Sequence, residues 1–106
     1  MPSAEAIPHT SAAEDILERL RALKPEIEKR YKAKQIGLFG SNVRGEQTDS
    51  SDIDILVDFE DGADLLDLTG LAIFLEEEFR RRVDVVPKRA LREELRESVL
   101  RDVIAL

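Results

Sequence analysis

The sequence predicts an α/β fold, a small mixed sheet of about three to four strands with helices packed against it. Apolar residues recur at helical spacing in two long segments, and shorter apolar segments between and after them have the length and alternation of strands. Residues that form turns separate these segments. The chain has 106 residues, of which 42% are apolar, and this length fits one compact domain with a single core.

A helix is expected to open the domain. The stretch MPSAEAIPHT, residues 1–10, holds two prolines and small polar residues, so we expect a flexible leader there and a domain covering residues 11–106. Thr10 or Ser11 can cap the helix. Pro25 lies inside the apolar stripe without changing its phase, which predicts either one kinked helix or two abutting ones. The stripe consists of Ile16, Leu20, Leu23, Ile27 and Tyr31.

Two strands follow in the prediction. Residues 35–39 form the first strand, which Gly40 ends. A loop of turn-forming residues, 45–51, leads to residues 52–59, the strongest strand signal in the chain. Acidic and apolar residues alternate at the start of this second strand, so one of its faces is expected in the core.

A second helix, a third strand and a last helical segment complete the expected order. The helix spans residues 63–79 and the strand residues 82–86. Pro87 begins the last helical segment, whose Leu91 and Leu95 are expected to face inward. The predicted inward face of the second helix consists of Leu65, Leu68, Ala72, Leu75 and Phe79. The chain ends on an apolar patch that could form an interface, with a partner or between copies of the chain: Val99, Leu100, Val103 and Ile104.

The composition excludes several classes of function. The chain has no cysteine, which excludes disulfides, zinc–thiolate sites and thiol catalysis. No apolar stretch reaches the length of a membrane span and the N-terminus lacks the pattern of a signal peptide, so we expect a soluble cytoplasmic protein. The net charge of −7 argues against strong nucleic-acid binding and fits a basic partner protein, or an anionic ligand held through a cation.

Two carboxylates interrupt the second predicted strand. Because side chains alternate along a strand, Asp52 and Asp54 share one face, while the isoleucines and the valine between and after them point into the core. The two carboxylates repel each other, and a bound Mg²⁺, which takes oxygen ligands, would offset that repulsion. The alternative is the solvated face of an edge strand, where the same alternation carries no function.

A third carboxylate, Asp84, lies in the segment RRVDVVP, which we expect to be too apolar for an exposed edge strand. If this strand lies beside that of Asp52 and Asp54, three carboxylates converge on one face. They could hold two metal ions, or hold one while a carboxylate acts as a base toward a hydroxyl group. The alternative is a salt bridge from Asp84 to the run Arg80–Arg82, which otherwise suits the C-terminal end of a helix.

A Gly-Ser pair ends the first predicted strand. Gly40 lets a ligand approach the backbone closely, Ser41 can donate its hydroxyl to a phosphate oxygen, and Arg44 could face the same phosphate. The alternative is a strand-to-helix turn with a serine cap. A Gly-Ser pair alone is weak evidence for a ligand site. Here the pair is followed after ten residues by Asp-x-Asp, which would place a phosphate cradle near a pair of metal-binding carboxylates. The combination predicts a site for a metal-bound nucleotide.

The segments LFGSNVRGEQTDSSDIDILVDF and RRVDVVP resemble motifs of the nucleotidyltransferase superfamily that includes DNA polymerase β. The resemblance is closest to the minimal members of that superfamily, the MNT domains. It covers the chain from Ile16 to the C-terminus and implies a nucleotidyltransferase-like fold.

The resemblance also implies a role for each site residue. The triphosphate of ATP would be bound at Gly40 and Ser41, and Arg44 matches a residue that is frequent in the family. One or two Mg²⁺ ions would be held by the three carboxylates Asp52, Asp54 and Asp84. The last of these would also act as the base.

The same resemblance implies a partner. Isolated MNT domains resemble antitoxins that are paired with a HEPN-domain toxin RNase and transfer AMP from ATP to a tyrosine near the toxin's active site. We expect this chain to act as such a Mg²⁺-dependent adenylyltransferase, because it is too short to carry an acceptor domain of its own. Its acidic charge suits a basic RNA-cutting partner.

Other functions remain open at this point. The chain could neutralise its partner by contact alone, although unused carboxylates in a strand would be lost easily. It could also modify a small cationic molecule such as an aminoglycoside after dimerisation, which the lack of an acceptor domain disfavours. Transfer of AMP to the partner separates these hypotheses.

Overall fold

The computed structural model describes residues 12–40, 43 and 52–106. Within these ranges the helices are α1 (Ala12–Tyr31), α2 (Leu65–Phe79) and α3 (Glu93–Asp102), with a short 3-10 helix at Lys88–Ala90. The strands are β1 (Ala33–Phe39), β2 (Ile53–Phe59), β3 (Val83–Pro87) and β4 (Ile104–Ala105). None of the helices in these ranges is long and apolar enough to cross a membrane. The predicted leader and the caps Thr10 and Ser11 lie outside the described residues and stay predictions.

The strands form one four-stranded sheet in the order β3-β2-β1-β4. β2 and β3 are parallel because α2 connects them as a crossover, whereas β1 pairs antiparallel with β2 and with β4. The predicted small mixed sheet with helices against it is confirmed. β4 lies within the apolar patch at the C-terminus, where the N–H of Leu106 donates to the carbonyl of Ile36 at 3.0 Å.

Helices α1 and α2 cover one face of the sheet, and the core lies between them and the strands. The apolar stripe of α1 packs against the core as predicted, with Leu20 and Ile27 fully enclosed. α1 is one helix that contains Pro25. The proline frees the carbonyl of Arg21 from its helical hydrogen bond, and because both residues are exposed, water can satisfy that carbonyl.

A capping box begins α2. The Asp64 side chain accepts a hydrogen bond from the N–H of Asp67 at 3.1 Å, and the Asp67 side chain accepts one from the N–H of Asp64 at 3.0 Å. The predicted inward position of Leu65 is wrong: it is 70% exposed, because it precedes the turns of α2 that pack on the sheet. Leu71, which was not among the predicted residues, is buried, and the predicted burial of Leu75 is confirmed. The other predicted contacts with the core are confirmed for Leu68, Ala72 and Phe79.

The segment after β3 differs from its prediction. Pro87 ends this edge strand, a position that tolerates its missing N–H, and α3 begins only after the 3-10 helix. Leu95 was expected to face inward but is 51% exposed, because α3 buries no residue fully and approaches the sheet near its C-terminal end, at Leu100 and Val103. Leu91 is half-buried.

Candidate active site

β2 presents two different faces. Its inner face, packed against α1 and α2, consists of Ile53, Ile55 and Val57, each with 0% exposure. The alternate side chains of β2 therefore lie on the outer face of the sheet, away from these two helices. Residues that pair with them in register on the neighbouring strands lie on the outer face as well.

The register sorts the outer face into rows that run across the strands. The acidic row consists of Asp84, Asp54 and Phe39. The apolar row consists of Val86, Leu56, Gly37 and Ala105. The polar end consists of Asp58 and Gln35, with Lys88 beside them. Successive rows are two residues apart along a strand, or roughly 6.6 Å.

The acidic row brings Asp54 and Asp84 together. They are paired on adjacent parallel strands, which lie about 4.8 Å apart. Asp54 is half-buried, and Asp52, which directly precedes β2, is exposed. In the part of the chain that the structure describes, no group of three or more His, Asp or Glu side chains is arranged to hold a metal ion. The register therefore supplies a neighbouring pair of carboxylates, and the third ligand stays a prediction.

The prediction that Asp84 lies in a buried strand is wrong. β3 is an edge strand, and Asp84 is exposed because it points away from the face that α1 and α2 cover. The valines that suggested burial, Val83 and Val85, point to the opposite face. None of the ion pairs between described residues joins Asp84 to the nearby arginines. Arg80 caps α2 in the left-handed conformation, and its N–H donates to the carbonyl of Glu76 at 2.8 Å.

Gly40 closes β1 against the acidic row. Its φ of 85° lies in the left-handed region, and its carbonyl accepts a hydrogen bond from the N–H of Val43 at 3.0 Å, so the chain turns sharply there. A Cβ atom at this position would lie 2.9 Å from Cγ of Asp54. The Asp54 carboxylate therefore occupies the place that a side chain at this position would need. The oxygen donors of Asp54 and Asp84 fit Mg²⁺, which can in turn bind a phosphate group.

The other two residues of the predicted phosphate cradle, Ser41 and Arg44, lie outside the described residues, as does most of the loop that follows them. Their roles stay predictions. The structure does describe Gly40, the residue directly before Ser41, and it places Gly40 against Asp54.

Sequence reasoning missed the apolar row. Leu56 lies between Asp54 and Asp58 on the outer face, yet it is only 6% exposed. Val103, just ahead of β4, lies over Gly37 in the same row. The sequence offered one signal, a leucine at an outward position of a strand with alternating acids. The segment that carries Val103 over Gly37 could not be anticipated, because its position depends on the pairing of β4 with β1.

Known proteins resemble this chain over most of its length. A family model described as a nucleotidyltransferase domain matches residues 20–106. The protein adenylyltransferase MntA of Thermococcus cleftensis is 44% identical over 91 residues, which cover 86% of this chain and 92% of that protein. A solved minimal nucleotidyltransferase has a TM-score of 0.77 and 41% identity, over 92% of this chain and 98% of its own. A crystal structure of a toxin–antitoxin with AMP-PNP has a TM-score of 0.64 and 31% identity, over 89% of this chain and 71% of its own.

Proposed function

The chain belongs to the nucleotidyltransferase domain family, and from that membership we propose that it transfers AMP from ATP to a tyrosine hydroxyl of a partner protein. The name of the Thermococcus cleftensis relative, a protein adenylyltransferase, supports both the adenylyl group and the protein acceptor. The proposed partner is a HEPN-domain toxin RNase, for which this chain acts as the antitoxin. The toxin–antitoxin structure with AMP-PNP supports a toxin partner and a nucleotide substrate.

One observation carries the proposal: Asp54 is paired with Asp84 at the point where the backbone turns at Gly40, directly against the Asp54 carboxylate. A nucleoside triphosphate needs both features, a close backbone for its phosphates and carboxylates for its metal ion. The exposure of Asp84 supports a protein acceptor in particular. A hydroxyl carried by another protein can reach an exposed carboxylate on an edge strand, whereas it could not reach a buried one.

The proposed chemistry is a displacement at the α-phosphorus of ATP. Asp54 and Asp84, with Asp52 as a further ligand, would hold a Mg²⁺ ion, which would supply positive charge to neutralise the triphosphate. Asp84 accepts the proton of the acceptor hydroxyl, whose oxygen forms a bond to the α-phosphorus. The bond from that phosphorus to the oxygen that bridges to the β-phosphate breaks, and pyrophosphate leaves. Gly40 and Ser41 position the triphosphate for this step.

Incubation with Mg²⁺, ATP and the purified product of the adjacent gene tests the proposal, with the mass of that partner as the readout. We expect the partner to gain the mass of one or more AMP groups. Asp54→Asn should slow the transfer by at least about 100-fold, as when a charged or polar group that stabilises a transition state is removed. Asp61→Asn makes the same change in the exposed turn after β2 and should leave the rate unchanged.

An unmodified partner would contradict the proposal. If that partner nevertheless co-purifies with the chain, neutralisation by contact alone replaces transfer as the function. If the wild type and Asp54→Asn transfer AMP at equal rates, the partner protein is still the acceptor, but the acidic row is not part of the active site. Peptide mapping of the modified partner then shows whether its acceptor is a tyrosine.

A further inference from the structure

The outer face continues for one more row beyond the acidic row. The N–H of Ile53 donates to the carbonyl of Arg82 at 3.0 Å, so the pairing of β2 with β3 includes Arg82, just ahead of β3. Because Ile53 is paired with Val83, Asp52 lies opposite Arg82. Val83 is buried on the inner face, and the alternation of side chains therefore places Arg82 on the outer face. Asp52 and Arg82 together form the mixed row.

The charge of Arg82 lies close to the carboxylates of the site. Asp84 is the next residue on the same face of β3, roughly 6.6 Å along the strand, and Asp52 lies one strand away, about 4.8 Å. The Arg82 side chain is exposed, and none of the ion pairs between described residues includes it. A guanidinium group only donates hydrogen bonds and keeps its charge, so it can neither bind Mg²⁺ nor accept a proton. In the proposed chemistry, the phosphates are the groups that it can bind.

The three consecutive arginines occupy different places. Arg80 caps α2, and α2 covers the opposite face of the sheet. Arg81 is half-buried, with its Nε atom enclosed. Of the three, Arg82 alone is both exposed and on the face that carries the carboxylates. The run therefore supplies one candidate for the site and, in Arg80, a comparison residue outside it.

Gly40 and Arg82 lie on opposite sides of the carboxylates. Gly40 directly follows Phe39, which is paired with Asp54, so it lies beyond the acidic row, on the side of the mixed row. Since β2 lies between β1 and β3, two strand spacings, or roughly 9.6 Å, separate Gly40 from Arg82. In the proposed chemistry the triphosphate is held at Gly40, and pyrophosphate leaves on that side. The attacking and leaving oxygens lie roughly in line, so the α-phosphoryl group is transferred toward β3, where Asp84 and Arg82 lie.

The charge of the assembled site calls for a cation besides Mg²⁺. Three carboxylates and a nucleoside triphosphate together carry more negative charge than two Mg²⁺ ions neutralise. During the transfer, negative charge is spread over the non-bridging oxygens of the phosphoryl group. A guanidinium group suits these oxygens, because its N–H groups form a planar fork that can donate to two of them at once.

We propose that Arg82 is a further catalytic residue, which donates hydrogen bonds to the non-bridging oxygens of the α-phosphoryl group during the transfer of AMP. The acceptor oxygen forms its bond to the α-phosphorus, and its proton passes to Asp84. The bond to the bridging oxygen breaks, and its electron pair leaves with pyrophosphate. Arg82 keeps all its protons and stabilises the negative charge of the group in transit. The inference rests on the proposed function, which supplies the transfer.

Arg82→Gln tests this role, and Arg80→Gln is its matched control. Both changes remove one exposed guanidinium from the same run, but only Arg82 lies on the outer face. At saturating Mg²⁺-ATP and partner, we expect Arg82→Gln to lower kcat by about 100-fold or more, as when one donor to a transition state is removed. Arg80→Gln should keep the wild-type kcat. Arg82→Lys should recover part of the loss, because lysine keeps the charge but lacks the planar fork.

Two further constants separate a contact with the transferred group from other roles of Arg82. The Kd for Mg²⁺-ATP, measured by calorimetry, and the KM for the partner should both stay close to their wild-type values in Arg82→Gln, because the proposed contact acts in the transition state. An unchanged kcat with a higher Kd for Mg²⁺-ATP would overturn the proposal and make Arg82 a residue that only binds the triphosphate. An unchanged kcat with a higher KM for the partner would also overturn it and assign Arg82 to the docking of the partner.

The inference and the proposed function can fail separately. A wild-type protein that transfers no AMP removes the proposed function, and the inference with it. A wild-type protein that transfers AMP normally, with an unaffected Arg82→Gln variant, removes the inference alone. Equal losses of kcat in Arg82→Gln and Arg80→Gln would do the same, since the loss would then follow from the charge of the run. If circular dichroism shows that Arg82→Gln does not fold, Arg82→Lys replaces it, with a smaller loss of kcat expected and an unchanged kcat as the contradicting result.

Discussion

The two faces of β2 follow opposite rules. On the inner face, Ile53, Ile55 and Val57 are fully buried, and burial of each such side chain stabilises the fold by about 1.5–3 kcal/mol. On the outer face, Asp54 is paired with Asp84, and these like charges repel unless a cation lies between them. Since side chains alternate along a strand, one strand supplies the core with one face and the candidate site with the other. Stability and activity should therefore respond to different substitutions.

The largest effect on folding is expected on the inner face. Ile55→Ala removes a fully buried side chain and should lower the free energy of unfolding by about 2–5 kcal/mol. Asp54→Asn, at the adjacent position on the outer face, should change it by about 1 kcal/mol or less. Urea unfolding followed by circular dichroism measures both. If Asp54→Asn destabilises the protein as much as Ile55→Ala does, the two faces do not differ in the way described.

A smaller effect is expected at Gly40, where the two roles meet. Gly40→Ala places a Cβ in a left-handed conformation and should lower the free energy of unfolding by about 1–2 kcal/mol. The new methyl group would also clash with the Asp54 carboxylate and displace it, which should weaken ATP binding. Gly62→Ala is the control, because a Cβ there meets nothing within 4 Å. Equal results for the two alanine variants, in urea unfolding and in ATP calorimetry, would remove Gly40 from the site.

The local patterns predicted much of the fold. The spacing of Ile16, Leu20 and Ile27 identified the buried stripe of α1, and alternation identified the inner face of β2, because both periods are set by the geometry of a single element. The motif spacing also brought Gly40 and Asp54 into one region, where the structure places them in direct proximity.

The rest depends on how the elements pair. The exposure of Asp84 follows from the edge position of β3, which the apolar sequence around it does not encode. Leu65 and Leu95 match a helical period but lie where their helices do not contact the sheet. β4 has only two residues, and it forms because β1 offers it a free edge. The position of Val103 over Gly37 depends on that pairing.

Thermal unfolding with and without Mg²⁺-ATP tests the central claim most directly: that the acidic row on the outer face of the sheet binds the nucleotide with its metal ion. A ligand at about 100 times its Kd stabilises the folded state by about 2.7 kcal/mol, which raises the Tm of a domain of this size by roughly 10 °C or more. We predict this rise for the wild type and for Asp61→Asn, and little or none for Asp54→Asn. An equal rise in Asp54→Asn, or no rise in the wild type, would contradict the claim.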